Sequence, residues 1–122
     1  MSTLVGVYGT LRKGFGLHSI LEESEFIGEY SPQVPYRMVN VGYYPALLPT
    51  EENNPITFEV YEVDDSTLHR LDLAEGVPTL YHRQVVDIEG LSVNIYIFTD
   101  VEWGEGLEPI PSGNFKSFLE AV

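Results

Sequence analysis

The sequence contains no cysteine, a single tryptophan, and only six lysines and arginines among 122 residues. The lack of cysteine excludes disulfides, thiolate nucleophiles and cysteine-held zinc or iron–sulfur centres, and it is compatible with a reducing cytoplasm, the expected location. The scarcity of cations, set against nineteen aspartates and glutamates, leaves a formal charge of −13. Such a chain repels a phosphate backbone instead of releasing its counterions, so nucleic acid is not an expected partner. No apolar run approaches the ~20 residues that cross a bilayer, and no basic stretch followed by a long apolar segment opens the chain. A soluble, unprocessed protein without a membrane partner is expected. His18, His69 and His82 are widely separated and form no HxH or HxxxH pair, which argues against a histidine-held metal.

The length suits one domain spanning 1–122, with no repeat and no linker that would divide it. Thr3 to Tyr8 reads as a buried strand, and Leu17, Ile20 and Leu21 follow a helical spacing over Gly16 to Glu23. Phe26 to Val41 is extended, with Pro32 and Pro35 marking a bulge, bend or edge. Gly42 to Pro49 reads as a turn and a short extended piece, Glu51 to Pro55 as a polar loop, and Thr57 to Val63 as a strand. Asp64, Asp65 and Ser66 offer helix caps, Leu68 and Leu71 share one face of the helix that follows, and Gly76 with Pro78 stops it. Tyr81 to Ile88 and Leu91 to Phe98 form a hairpin through Glu89-Gly90. Asp100 to Pro111 reads as a surface loop and Gly113 to Val122 as a terminal helix. The total is about five to seven strands with two or three short helices, an α+β class whose mixed sheet is strongly curved or barrel-like rather than doubly wound.

The stretch Val7-Tyr8-Gly9-Thr10-Leu11-Arg12-Lys13-Gly14 is a strand running into a donor-rich turn. Its glycine spacing superficially suits a phosphate loop, but Phe15 and Gly16 stand where lysine and serine or threonine belong, and Ser19 replaces the last glycine of a dinucleotide fingerprint. What remains is a turn of consecutive backbone amides, a geometry that binds anions without needing a lysine. Arg12, Lys13 and Arg83 are half of the chain's cations, and local positive potential from them would help an anionic ligand. Glu75 stands at a helix C-terminus, where the helix dipole disfavours a carboxylate.

Together these segments, with Gly42-Tyr43-Tyr44-Pro45-Ala46-Leu47, Glu59-Val60-Tyr61-Glu62-Val63-Asp64, Leu71 to Glu75-Gly76, Pro78 to Tyr81-His82-Arg83, and Ile110-Pro111-Ser112-Gly113-Asn114-Phe115, resemble the γ-glutamylcyclotransferase-like (AIG2-like) family. The resemblance implies a small mixed sheet partly closed into a barrel. It implies a cofactor-free and metal-free lyase that closes the α-amine of a γ-glutamyl amine or γ-glutamyl amino acid onto its own γ-carbonyl, giving 5-oxoproline and a free amine. By position, Tyr8, Gly9, Thr10 and Leu11 would hold the substrate's α-carboxylate end, Arg12 would add positive potential, and Tyr81 would line the pocket or donate to the developing oxyanion. Glu75 would be the acid/base. The chain departs from the family's habit at Phe58, Ala74, Val77 and Asn114-Phe115. The alternative is a non-catalytic module of the same fold that binds a small carboxylate or a protein; only the enzyme needs Glu75 in the same cavity as the turn.

Overall fold

The first strand organises the molecule because it is paired on both edges. The computed structural model describes residues 2–42 and 44–120. In chain order these form β1 (Ser2–Val7), a 3₁₀ segment (Gly16–Leu21), β2 (Glu25–Tyr30), β3 (Gln33–Asn40), β4 (Pro45–Pro55), β5 (Phe58–Asp64), α1 (Asp65–Ala74), β6 (Tyr81–Ile88), β7 (Leu91–Phe98), α2 (Val101–Gly104), β8 (Glu108–Pro109) and α3 (Phe115–Glu120). A five-stranded sheet runs β2-β5-β1-β7-β6 and a three-stranded one β4-β3-β8. β1 lies antiparallel to β5 and parallel to β7. A strand covered on both faces reads as a continuous apolar run, as Val5 and Val7 of β1 and Ile95 to Phe98 of β7 do.

One core cluster joins Val5, Val7, Tyr61 and Val63 to Leu21 and to Leu71 of α1; the other joins Phe58, Val60, Ile95 and Ile97 to Phe115. The smaller sheet feeds both. Met38 and Leu47 enter one cluster, and their neighbours Val39 and Leu48 enter the other, as strict alternation along a strand requires. The expected α+β class with a curved mixed sheet and short helices holds, with the curvature divided between two sheets rather than closed into a barrel.

Several local expectations hold. Asp64 caps α1, its Oδ1 accepting from the Thr67 amide at 2.7 Å. Pro35 sits where the β3–β4 register shifts, and Glu89 and Gly90 turn the β6–β7 hairpin with φ of 50° and 85°. Others are corrected. The helix over Gly16 to Glu23 is a shorter 3₁₀ segment with Leu17 exposed. Glu51 to Pro55 is not a loop but the continuation of β4, with Asn54 and Pro55 opposite Val34 and Gln33. Backbone pairing with β3 holds this edge extended while its side chains face water. Within Asp100 to Pro111, expected as surface loop, the Asp100 side chain caps α2 and β8 pairs with β3. Of the sequence segments read above, Tyr43, Ala121 and Val122 lie outside the described residues. No helix among the described residues is long and apolar enough to cross a membrane.

Candidate active site

Where β1 ends, the chain makes a turn that spends its carbonyls and spares its amides. Arg12 N–H donates to the Gly9 carbonyl at 3.0 Å, Leu17 N–H to that of Thr10 at 3.2 Å, and His18 Nδ1 to that of Leu11 at 2.9 Å. Among the described residues the Thr10 and Leu11 N–H groups find no acceptor. They remain available to an anion. A Cβ on Gly9 would stand 2.7 Å from the Pro45 ring, so glycine is required here for close approach. Gly9→Ala is expected to cost about 1–3 kcal/mol through overpacking. Gly16→Ala, where a Cβ meets nothing within 4 Å, should change stability by less than about 0.5 kcal/mol. Urea denaturation of the two variants checks the contrast.

Facing the turn is the end of α1. Glu75 is its C-cap, donating its N–H to the Leu71 carbonyl at 2.9 Å, and Gly76 then reverses the chain with φ +64°, a conformation that favours glycine. The Glu75 side chain opens on a cavity of about 240 Å³, whose wall includes Tyr8, Gly9, Thr10, Leu11, Pro45 and Tyr81, with Tyr96 beside them. The space suits one small molecule rather than a polymer. Protein crowds the carboxyl on its other sides, and that burial pushes its pKa up to about 7. Among the described residues no hydrogen bond or ion pair reaches the carboxyl.

The tyrosines around Glu75 have their protons committed to protein. Tyr8 Oη donates to the Tyr96 carbonyl at 2.6 Å, Tyr81 Oη to the Pro45 carbonyl at 3.0 Å, and Tyr96 Oη to Asp72 Oδ1 at 2.8 Å. Burial raises the pKa of all three, and the nearby Glu75 charge adds to it. Tyr81 lines the pocket as expected. Its expected donation to an oxyanion is corrected, because its one proton is already given to Pro45.

Arg12 is also placed differently from the expectation. It is 2% exposed and does not line the cavity. Its Nε reaches Glu59 Oε2 at 2.9 Å, Nη1 reaches Asn114 Oδ1 at 3.0 Å, and Nη2 reaches Glu29 Oε1 at 3.0 Å. Glu59, itself buried, also accepts from the Lys13 amide and the Tyr61 hydroxyl at 2.9 Å each. Burial would raise the Glu59 pKa, but the Lys13 amide, the Arg12 guanidinium and the Tyr61 hydroxyl outweigh it and hold the pKa below the usual value. Arg12 therefore braces the turn from behind. Lys13 lies over the Phe26 ring and Arg83 pairs with Asp72, so none of the three expected cations is among the lining residues.

Sequence reasoning passed over Tyr96, which buttresses Tyr8 through its carbonyl. The signal was a single hydroxyl within the otherwise aliphatic and aromatic run Ile95 to Phe98. Pro45 was visible only within a motif. Its two contacts, ring on Gly9 and carbonyl on Tyr81, tie the turn to the opposite wall.

The family model described as gamma-glutamyl cyclotransferase, AIG2-like, matches residues 5–117. A Methanocaldococcus jannaschii protein named "Putative gamma-glutamylcyclotransferase MJ1514" is 45% identical over 118 residues, covering 93% of this chain and 96% of that protein. Among solved structures, an uncharacterised protein from Pyrococcus horikoshii is 28% identical with a TM-score of 0.80, covering 98% of this chain and 94% of its own. A mouse AIG2-like protein is 26% identical with a TM-score of 0.69, covering 93% of this chain and 98% of its own.

Proposed function

Since the chain belongs to the gamma-glutamyl cyclotransferase, AIG2-like family, we propose that its cavity cyclises a γ-glutamyl amine or γ-glutamyl amino acid to 5-oxoproline and a free amine. The carrying observation is that Glu75, which has no hydrogen-bond or ion-pair partner among the described residues and a pKa near neutrality, shares one small cavity with Thr10 and Leu11, whose amides find no acceptor among those residues. A binding module has no need of a carboxyl desolvated beside its carboxylate site. The enzyme does.

Nucleophile and electrophile belong to the same molecule, so the protein's first task is to fold the substrate, a proximity effect. The turn amides take the α-carboxylate. The second task is proton transfer. The substrate's α-ammonium nitrogen carries three hydrogens and the lactam nitrogen one, so two protons leave it, and the departing amide nitrogen gains two as it becomes an ammonium. Glu75 accepts one proton from the ammonium, the freed lone pair attacks the γ-carbonyl carbon, and Glu75 passes that proton to the leaving nitrogen as its C–N bond breaks; the carboxylate then takes the second proton from the ring nitrogen and passes it to the departing amine, which leaves as an ammonium. No net proton is taken up, and no redox partner is involved. A carboxyl near pKa 7 exchanges protons in both directions at neutral pH.

The test is incubation with γ-glutamyl amines, including γ-glutamyl-lysine, and with γ-glutamyl dipeptides. 5-Oxoproline and free amine are expected in equal amounts from at least one of them, and no product from any would overturn the proposal. Because the free enzyme must carry Glu75 as a carboxylate, kcat/KM should rise with pH through an apparent pKa of about 7. A profile still flat at pH ~5, where an unperturbed glutamate would be ionised, would contradict that role.

A further inference from the structure

The helix that presents Glu75 has little hold on the core. Leu71 is the one fully buried side chain of α1, Leu68 is half-buried, and Leu73 in its last turn stays 68% exposed. Asp72 fixes the end of this helix instead. Its carbonyl accepts from the Val77 N–H at 3.0 Å, and the Gly76 N–H reaches the Leu73 carbonyl at 3.2 Å. These paired bonds close a glycine-ended helix and enclose Glu75 between them. The Asp72 side chain leaves the helix for the larger sheet, its Oδ1 accepting from Tyr96 Oη of β7 at 2.8 Å and from Arg83 Nε of β6 at 3.0 Å. Among the described residues no other side chain from His69 to Ala74 hydrogen-bonds to the sheet.

Tyr96 joins this anchor to the other half of the site. Its hydroxyl holds Asp72, and its carbonyl holds the Tyr8 hydroxyl at 2.6 Å, one residue before Gly9 of the turn. Arg83 is oriented in the same way: its Nη1 donates to Asn94 Oδ1 at 3.3 Å, and the Asn94 amide donates to the Leu4 carbonyl of β1 at 3.3 Å. The helix end is thus tied through Asp72 to three neighbouring strands, one of which runs into the turn. An intramolecular attack depends on placement to within about 1 Å. Resting on the cyclotransferase reading, we infer that Asp72, clamped by Tyr96 and Arg83, is a positioning residue that sets the distance between the Glu75 carboxyl and the turn at Gly9 to Leu11. The charge of the clamp is balanced as well. Asp72 stands three residues before Glu75, where side chains of a helix are neighbours, and Tyr96 feels the charge of both. Arg83 neutralises Asp72, so the two carboxyls can stand close together.

Tyr96→Phe and Asp72→Ala each cut the link and leave the Tyr96 carbonyl, and with it the turn, in place. On the γ-glutamyl substrate that wild type turns over, each should lower kcat by about 10–100-fold and change KM by less than about threefold. Asp72→Asn, which keeps an accepting oxygen at the same point, should hold kcat within about fivefold of wild type. The double variant Asp72→Ala/Tyr96→Phe should be slower than Asp72→Ala by no more than about twofold, since both changes break one link. Carbon-detected NMR during a 5-oxoproline titration reads the clamp without turnover. In both single variants the ligand should still shift the Thr10 and Leu11 amides with an affinity within about threefold of wild type, while the response of the Glu75 carboxyl falls. Loss of 5-oxoproline affinity in step with kcat, or losses that add in the double variant, would assign Asp72 a merely structural role and overturn the inference. A wild type that binds 5-oxoproline but forms none overturns the proposed function, and the NMR comparison then decides the clamp alone. No binding of 5-oxoproline overturns both. If Tyr96→Phe does not fold, Asp72→Ala and its asparagine counterpart decide.

Discussion

Replacing Glu75 by glutamine is expected to lower 5-oxoproline turnover by about 10²–10⁴-fold while leaving substrate affinity largely intact. Glutamine keeps the shape and removes the exchangeable proton, so the effect should fall on kcat. The same change should stabilise the fold at neutral pH. The folded Glu75 pKa, about 7, lies above the ordinary carboxyl value of 4.5, so between these two pH values the native state binds more protons than the unfolded chain. Stability therefore falls as pH rises through that window, by about 3 kcal/mol in total. Glu75→Gln escapes this loss, and its advantage over wild type should be full above pH ~7 and vanish below pH ~4.5. Turnover assays and urea denaturation at two pH values measure both sides. A glutamine variant with near-normal turnover would remove Glu75 from the chemistry.

The second large effect is expected behind the turn, at a residue that does not line the cavity. Arg12→Met should destabilise the protein by about 3–5 kcal/mol, because it strands the buried Glu59 carboxylate without its guanidinium. Glu29→Gln, which removes only the solvent-exposed partner of the same arginine, should cost less than about 1 kcal/mol. The double variant Arg12→Met/Glu59→Gln should recover part of the loss, since no charge is then left buried. Because the pKa of Glu59 is held below its usual value, its contribution is complete above the unfolded carboxyl range and is lost as pH falls through the folded pKa. The Arg12→Met deficit should shrink accordingly in acid. Equal costs for Arg12→Met and Glu29→Gln in denaturation experiments would show that the buried pair does not anchor the turn.

What could be read from the sequence followed from local signals. The β6–β7 hairpin carries its turn residues and its alternation within one short stretch, and Asp64 caps a helix three residues away. The turn at Tyr8 to Leu11 was legible because it is contiguous, and Glu75 because a carboxylate at a helix C-terminus runs against the dipole. The errors share one origin, which is a partner distant in the chain. Arg12 looked like a ligand-facing cation because nothing nearby in sequence announces Glu59 behind it. Tyr81 looked like a free donor because its acceptor is the carbonyl of Pro45 across the cavity. Glu51 to Pro55 looked like a loop because its order comes from β3 and not from its own composition.

The account stands on one arrangement: a carboxyl of raised pKa and two residues whose amides find no acceptor among the described residues, on the wall of the same small cavity. Carbon-detected NMR of the Glu75 carboxyl, followed through pH with and without 5-oxoproline, examines it directly. The predicted result is a midpoint at about 7 in the free protein, with ligand shifting both the Glu75 carboxyl and the Thr10 and Leu11 amide signals. A Glu75 that titrates with the ordinary glutamates near 4–5, or a ligand that moves the amides and leaves Glu75 untouched, would contradict it.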